Sequence, residues 1–221
     1  MKSAKRILAV LLCAALLISV LCACGKTAGT GTDTDTNDDS IAQQLYDADV
    51  AAPDLTNATE ITLSGADDVT ITDGGVYVLT GTLTDGRVLV NAPGADVTLV
   101  LRDADITCVD SSALYIYKAA NVLVYLPDGT ASTLTDGSSY DDSGSFSSTT
   151  DEEPNACLYS KSDLVIAGGG TLTVTGNANN GITGKDTLKI EGTAVNVTAA
   201  NHGINGKDCL VLKQANVTVT S

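Results

Sequence analysis

Ala178-Asn-Asn-Gly-Ile-Thr-Gly-Lys-Asp-Thr-Leu188 and Ala200-Asn-His-Gly-Ile-Asn-Gly-Lys-Asp-Cys-Leu210 are two copies of one pattern. Matching positions lie 22 residues apart, and the offset continues into Val195-Asn-Val-Thr198 against Val217-Thr-Val-Thr220. A weaker copy runs from Asn155 to Leu164 at an offset of 24, aligned through Leu158, Lys161 and Leu164, and another begins at Ala113-Leu114-Tyr115. Self-similarity at such a period is the signature of a solenoid. Within each unit, apolar and polar residues alternate over short runs, as in Leu188-Lys-Ile190 and Val195-Asn-Val197. Period-two alternation predicts strands. Gly184-Lys185-Asp186 and Glu191-Gly192-Thr193 supply turn chemistry between them. One unit buries too little apolar surface to offset the entropy of ordering its own chain, so the units must stack.

The expected fold is therefore all-β, a right-handed single-stranded parallel β-helix of about 22 residues per turn, with no helix after the N-terminal segment. Ile182, Leu188 and Val195 and their partners Ile204, Leu210 and Val217 should form core columns. The chain stops at Ser221 within such a strand and without a polar cap, which predicts a coil incomplete at its C-terminus.

Three blocks follow along the chain. Residues 1–23 read as a lipoprotein signal peptide: Lys2, Lys5 and Arg6 precede an apolar run from Ile7 to Leu21, closing on Leu21-Cys-Ala-Cys24. The run is short for a bilayer span. Cys24 is the expected lipidation site, which anchors the chain to the extracytoplasmic membrane face through acyl chains alone. Residues 24–54 begin with a Gly/Thr/Asp run to Asp39 and read as a flexible tether. Residues 55–221 form the repeat domain.

Removing the signal leaves nine Lys and Arg against 27 Asp and Glu, a net charge of −18. That charge excludes nucleic acid as a partner and suits a protein that collects divalent cations. Cys108, Cys157 and Cys209 are odd in number and widely spaced, so they make neither a disulfide framework nor a CxxC metal site and read as small apolar residues. His202 is the only histidine and stands where Asn180 does in the preceding unit; a turn residue is expected, with no triad.

Candidate sites come from stacked repeat positions. Asp186 and Asp208 share one position, and Asn179 and Asn201 another, about 4.8 Å apart in adjacent turns. Stacked carboxylates repel, and Ca²⁺ accepts Asp, Asn and carbonyl oxygens in flexible geometry; calcium is the expected structural cofactor. Asp151, Glu152 and Glu153 close a structureless stretch from Asp136 to Asn155, and Glu153 is a further candidate ligand. The alternative is a surface ladder of Lys185/Asp186 and Lys207/Asp208 ion pairs. With no Trp and one Phe, large sugar platforms are scarce. Tyr115 and Tyr159 align in neighbouring turns, each beside an inward Leu, and should point outward. Lys161, Lys185 and Lys207 form a second column close by. A tyrosine pair beside a lysine row suits an acidic polysaccharide; an aromatic ladder that only stabilises the sheet is the alternative.

Gly75-Val-Tyr-Val-Leu-Thr-Gly-Thr-Leu-Thr-Asp-Gly86, Val97-Thr-Leu-Val-Leu101, Thr133-Leu-Thr-Asp-Gly137 and the two Asn-x-Gly-Ile-x-Gly-Lys-Asp units together resemble the clostridial-type carbohydrate-binding domain family. The resemblance spans residues 60–221. It implies a pectate-lyase-like parallel β-helix on the cell surface that holds calcium and binds cellulose or polygalacturonate. The function so implied is non-catalytic polysaccharide binding. Two rivals remain: a calcium-dependent uronate lyase using one of Lys161, Lys185 or Lys207 as base, and an adhesin or spacer. A lyase needs a base flanked by several acidic ligands in one cleft, and here the acids thin to one per turn, which favours binding.

Overall fold

In the unit beginning at Asn180, alternating aliphatic and polar residues make three short strands, Asn180–Gly184, Thr187–Glu191 and Ala194–Ala199. The computed structural model describes residues 36–140 and 154–221. The expected signal 1–23, Cys24, Asp151, Glu152 and Glu153 lie outside the described residues. Within them, all strand pairings are parallel, and each strand of the unit pairs with the strand one unit further on: Ile182 with Ile204, Leu188 with Leu210, Val195 with Val217. The same three strands pair backwards, with Leu158, Leu164 and Leu172. A parallel ladder with no intervening crossover helix is possible because a whole unit of chain separates partners.

The strands gather into a six-stranded and an eleven-stranded sheet. The smaller runs from Val69–Ile71 through Val88–Asn91, Leu114–Lys118, Ala156–Ser160 and Asn180–Gly184 to Ile204–Gly206. The larger has two arms that share the long strand Asp96–Cys108. Its first half pairs with Asn121–Tyr125 and its second with Thr133 to Asp136. The first arm continues through Asp163–Ala167, Thr187–Glu191 and Cys209–Lys213, the second through Thr171–Gly176, Ala194–Ala199 and Asn216–Thr220. At the corner between the arms the backbone enters the left-handed region. Gly192 has φ 71°, Gln214 one unit later has φ 51°, and Asp103 has φ 53°. The Asp103 carboxylate accepts the Ala131 N–H at 2.9 Å, which fixes that corner.

Inward residues of the three strands meet in one core. Ile182, Leu188, Ile190, Val195 and Val197 are all buried. Their counterparts Ile204, Leu210 and Val217 pack on the same core but only half-buried, because strands cover them on one side. The glycine of the repeated Asn-x-Gly is set by close approach. A Cβ at Gly181 would lie 2.2 Å from the Val197 Cγ1, and one at Gly203 would lie 2.1 Å from the Val219 Cγ1. Cys108, Cys157 and Cys209 are buried thiols, and burial pushes the Cys108 thiol up to about 11.

One element departs from the sequence reading. Thr36–Asp47, within the expected tether, is an α-helix, α1. Ile41, Ala42 and Leu45 recur at helical spacing, and the Gln43 amide donates to Asp47 at 2.8 Å, one turn on. Its Ala42 is buried against Cys209 and Val211, with Leu45 and Tyr46 beside it. An isolated helix of this length is marginal in water. Docking on the first arm is what holds it, and that contact joins residues far apart in the chain.

Candidate functional site

The reversal between the six-stranded sheet and the first arm recurs in each unit as a tripeptide: Lys161-Ser162-Asp163, Lys185-Asp186-Thr187, Lys207-Asp208-Cys209. Main-chain bonds fix the stacking. The Lys161 N–H donates to the Ile116 carbonyl at 2.9 Å, the Lys185 N–H to Ser160 at 2.8 Å, and the Lys207 N–H to Gly184 at 2.9 Å. The three lysines therefore form the column expected from the repeat. The register that pairs Ile116 with Ser160 puts Tyr117 at the head of that column. Its ring lies 5.1 Å from the Lys161 ammonium, a cation–π distance.

Tyr115 and Tyr159 are in register, as expected, and lie outside the main core. Their surroundings differ from the expectation. They are 2% and 0% exposed, packed with Leu89 and Ala156, and their rings meet edge to face at 5.7 Å. Neither offers a ring face to a sugar. An outward position on a strand is not exposure once neighbouring side chains close over it. Tyr117, half-buried and 5.9 Å from the Tyr115 ring, is the aromatic that reaches the lysine column. The alternation in Leu114-Tyr-Ile-Tyr-Lys118 carried that signal, since Tyr117 shares the side of Tyr115.

Beside the lysines run the acids. Asp163 accepts the Thr187 N–H at 3.1 Å and its hydroxyl at 2.5 Å. Asp186 is half-buried between turns; burial, then the Asp163 and Asp208 carboxylates, raise its pKa, and only the Lys207 ammonium opposes them. Asn179 and Asn201 bond to each other, Nδ2 to Oδ1, at 2.9 Å. They sit at the opposite end of strand Asn180–Gly184 from Asp186, roughly 20 Å of extended chain away. The asparagine and aspartate pairs thus cannot share an ion, and the asparagines form a structural ladder. Among the described residues no group of three or more His, Cys, Asp or Glu is placed to hold a metal ion. The acid column therefore offers two carboxylates in adjacent turns with Asp163 near, enough for a bridging, largely hydrated cation but not a closed cage. His202 is an exposed turn residue against the Asn180 Oδ1, 3.2 Å from its ring nitrogen.

A second polar cluster, which the sequence reading missed, lies on the outer face of the first arm. Lys189 and Lys213 are both buried there beside Glu191, at 2.6 Å and 3.4 Å. The chain leaving α1 completes it. Lys189 donates to the Ala48 carbonyl, and Lys213 to the Asp49 carboxylate at 2.5 Å. Lys213 also lies 5.5 Å from the Tyr46 ring.

Comparison with known proteins bears on what these surfaces hold. Residues 65–221 match the family described as carbohydrate-binding domain-containing protein. A relative of that description from Acetivibrio thermocellus is 41% identical over 133 residues, 60% of this chain and 45% of the relative. The chain thus spans under half of that protein's length. Among solved structures, the polysaccharide lyase-like protein from C. thermocellum, a gadolinium derivative, superposes with a TM-score of 0.62 at 28% identity, covering 72% of this chain and 81% of the other.

Proposed function

Because the chain belongs to the carbohydrate-binding domain-containing family, we propose that it is a non-catalytic surface lipoprotein that binds plant-type polysaccharide, cellulose or polygalacturonate-like, on a right-handed parallel β-helix. The observation that carries this reading is the row Tyr117, Lys161, Lys185 and Lys207, one side chain per unit along one ledge. A ring at the head of a cationic row suits a polymer of repeating sugars that carry carboxylates. The β-helix reading is supported by three strands per unit, each paired in parallel with its copy one unit on. Its likeness to a polysaccharide lyase-like protein supports the pectate-lyase-like form of that coil.

The lipid anchor rests on the Leu21 to Cys24 context, and the extracytoplasmic location follows from it. Calcium enters as a stabiliser. Asp186 and Asp208 in adjacent turns repel, and a bridging Ca²⁺ with its own waters relieves that repulsion.

The test is retention on polygalacturonate and on insoluble cellulose, with and without a chelator, by the wild type, Tyr117→Ala and the double variant Lys185→Met/Lys207→Met. Weakened binding to polygalacturonate in both variants is expected. A wild type that binds neither glycan, or variants that bind as wild type does, would defeat the ledge as the binding surface.

A further inference from the structure

The buried lysines under the N-terminal strap are an unusual feature of so acidic a chain. Residues 41–51, the end of α1 and the chain that leaves it, run across the outer face of the first arm, from Cys209 and Val211 toward Leu123. Between this strap and the arm lies a groove of about 340 Å³ whose lining includes Asp49, Val50, Thr98, Leu123 and Val165, with Asp96 at its edge held by the Asn121 amide at 2.8 Å. The face beneath has a half-apolar middle column, in which Leu123, Val165, Lys189 and Val211 stand in register. Lys189 stands between Val165 and Val211 in that column, and Glu191 and Lys213, paired with each other two residues further along the strands, complete a group of two cations and one anion. Among the described residues of the arm, Glu191 alone is paired with these ammonium groups, one carboxylate between two cations. The balance comes from Asp49, whose side chain is 87% exposed while that of Lys213 is 10% exposed.

An enclosed ammonium held by a carboxylate on an exposed, displaceable segment is the geometry of a ligand site filled in cis. We propose that the Lys189–Lys213 face is a second binding surface for carboxylate-bearing polysaccharide, and that Asp49 of the strap occupies it in place of a uronate carboxylate. The apolar column would seat the sugar faces, and the two ammonium groups would take successive carboxylates once the strap lifts. Lys189 already donates to an uncharged stand-in, the Ala48 carbonyl, at the position a ring or carboxyl oxygen would take. This inference rests on the polysaccharide reading above and concerns a face distinct from the Tyr117–Lys207 ledge.

The experiment uses the full chain, wild type and Asp49→Ala, with oligogalacturonate and with an uncharged cello-oligosaccharide in calcium-free buffer. Asp49 is exposed, so its removal leaves the fold intact. Asp49→Ala should raise affinity for oligogalacturonate about threefold, the scale on which one exposed ion pair competes, and leave the neutral sugar unchanged. Adding Lys213→Met to Asp49→Ala should cancel the gain. In the wild type, oligogalacturonate should lower hydrogen-exchange protection of residues 41–51, which a purely structural strap would not show. If both proteins bind oligogalacturonate equally and protection of the strap is unchanged, the strap only staples the fold and the inference falls while the ledge stands. If neither binds either sugar, both readings fall.

Discussion

The Lys213 ammonium is 2.5 Å from the Asp49 carboxylate, although 164 residues separate them. This ion pair ties the strap that follows α1 to the strand Cys209–Lys213, together with the packing of Ala42 on Cys209 and Val211 and the Lys189 bond to the Ala48 carbonyl. Burial works against the charged Lys213, yet the Asp49 hydrogen bond and the Glu191 carboxylate outweigh it, and its pKa is raised. That of Asp49 is lowered, first by the same hydrogen bond.

Those directions set the pH window of the strap. A carboxylate whose folded pKa is lowered adds stability above its ordinary value, lost as pH falls through the folded one. An ammonium whose folded pKa is raised adds stability below its ordinary value, lost as pH rises through the folded one. With ordinary values near 4 and about 10.4, protection of residues 41–51 from proteolysis should be flat between them and fall on either side. Lys189, Glu191 and Tyr46 are the other titratable groups that face this pair. Asp49→Asn should remove the acid limb of the profile, and molar salt should flatten the remainder.

The core predicts a graded response along one column. Leu188 is fully buried and its partner Leu210 only half-buried. Leu188→Ala should cost about 2–5 kcal/mol in a urea titration, the range for a buried leucine, and Leu210→Ala less. Gly181→Ala should be as damaging as a core truncation, because the new methyl group has no space beside Val197. If Leu210→Ala were the costlier of the leucine changes, the column order would be wrong.

How far the sequence could be read follows from the same contacts. The registers of Ile182, Leu188 and Val195 were legible because each pairs with its own copy, so one offset of 22 residues predicts all three. The lysine column was legible for that reason too. α1 was not, because its apolar stripe is short and the surface that stabilises it, Cys209 with Val211, lies on the last strand of the arm. The burial of Tyr115 and Tyr159 was equally hidden: strand alternation tells which way a side chain points but not what covers it. Nor could the repeat show that the Asn179 and Asp186 columns stand a full strand apart.

Asp186 carries the cation prediction. Its folded pKa is raised, so the folded protein loses stability relative to the unfolded chain as pH rises from the ordinary carboxylate value through the folded one. In the absence of divalent ions, Asp186→Asn should therefore melt higher than wild type at neutral pH, with the difference vanishing below about pH 4. Calcium at 100-fold excess over its dissociation constant should stabilise wild type by about 2.7 kcal/mol, a rise of about 5–11 °C in melting midpoint at about 2–4 °C per kcal/mol. The double variant Asp186→Asn/Asp208→Asn should not respond. Equal melting of wild type with calcium or EDTA would leave these aspartates as the acid half of a surface ladder.

The thiols should be silent in the native protein. Cys108 titrates near 11 and Cys157 is also raised, burial being the main cause for both, and the thiolate is the reactive form. A disulfide reagent at neutral pH should label none of Cys108, Cys157 and Cys209 until denaturant is added. Rapid labelling of Cys108 in the folded chain would show that the sheet opens around the Cys108–Asp136 pairing.

Lyase activity is the sharpest rival to binding, since a lysine beside a metal-held uronate carboxylate is all that proton abstraction from the neighbouring carbon formally requires. A lysine serves as base only when its site suppresses the ammonium, and exclusion of water is the usual means. Lys207 is exposed and Lys185 half-exposed, while Lys161 rests against the Tyr117 ring. Acids that could fix a substrate carboxylate through calcium are thinned along the ledge to Asp163, Asp186 and Asp208, one per unit. Polygalacturonate incubated with the chain and calcium should therefore be bound but not cleaved, with no growth of the ultraviolet absorbance of a 4,5-unsaturated product. Appearance of that absorbance, and its loss on substituting methionine at Lys161, Lys185 or Lys207 in turn, would convert the ledge from a binding surface into an active site.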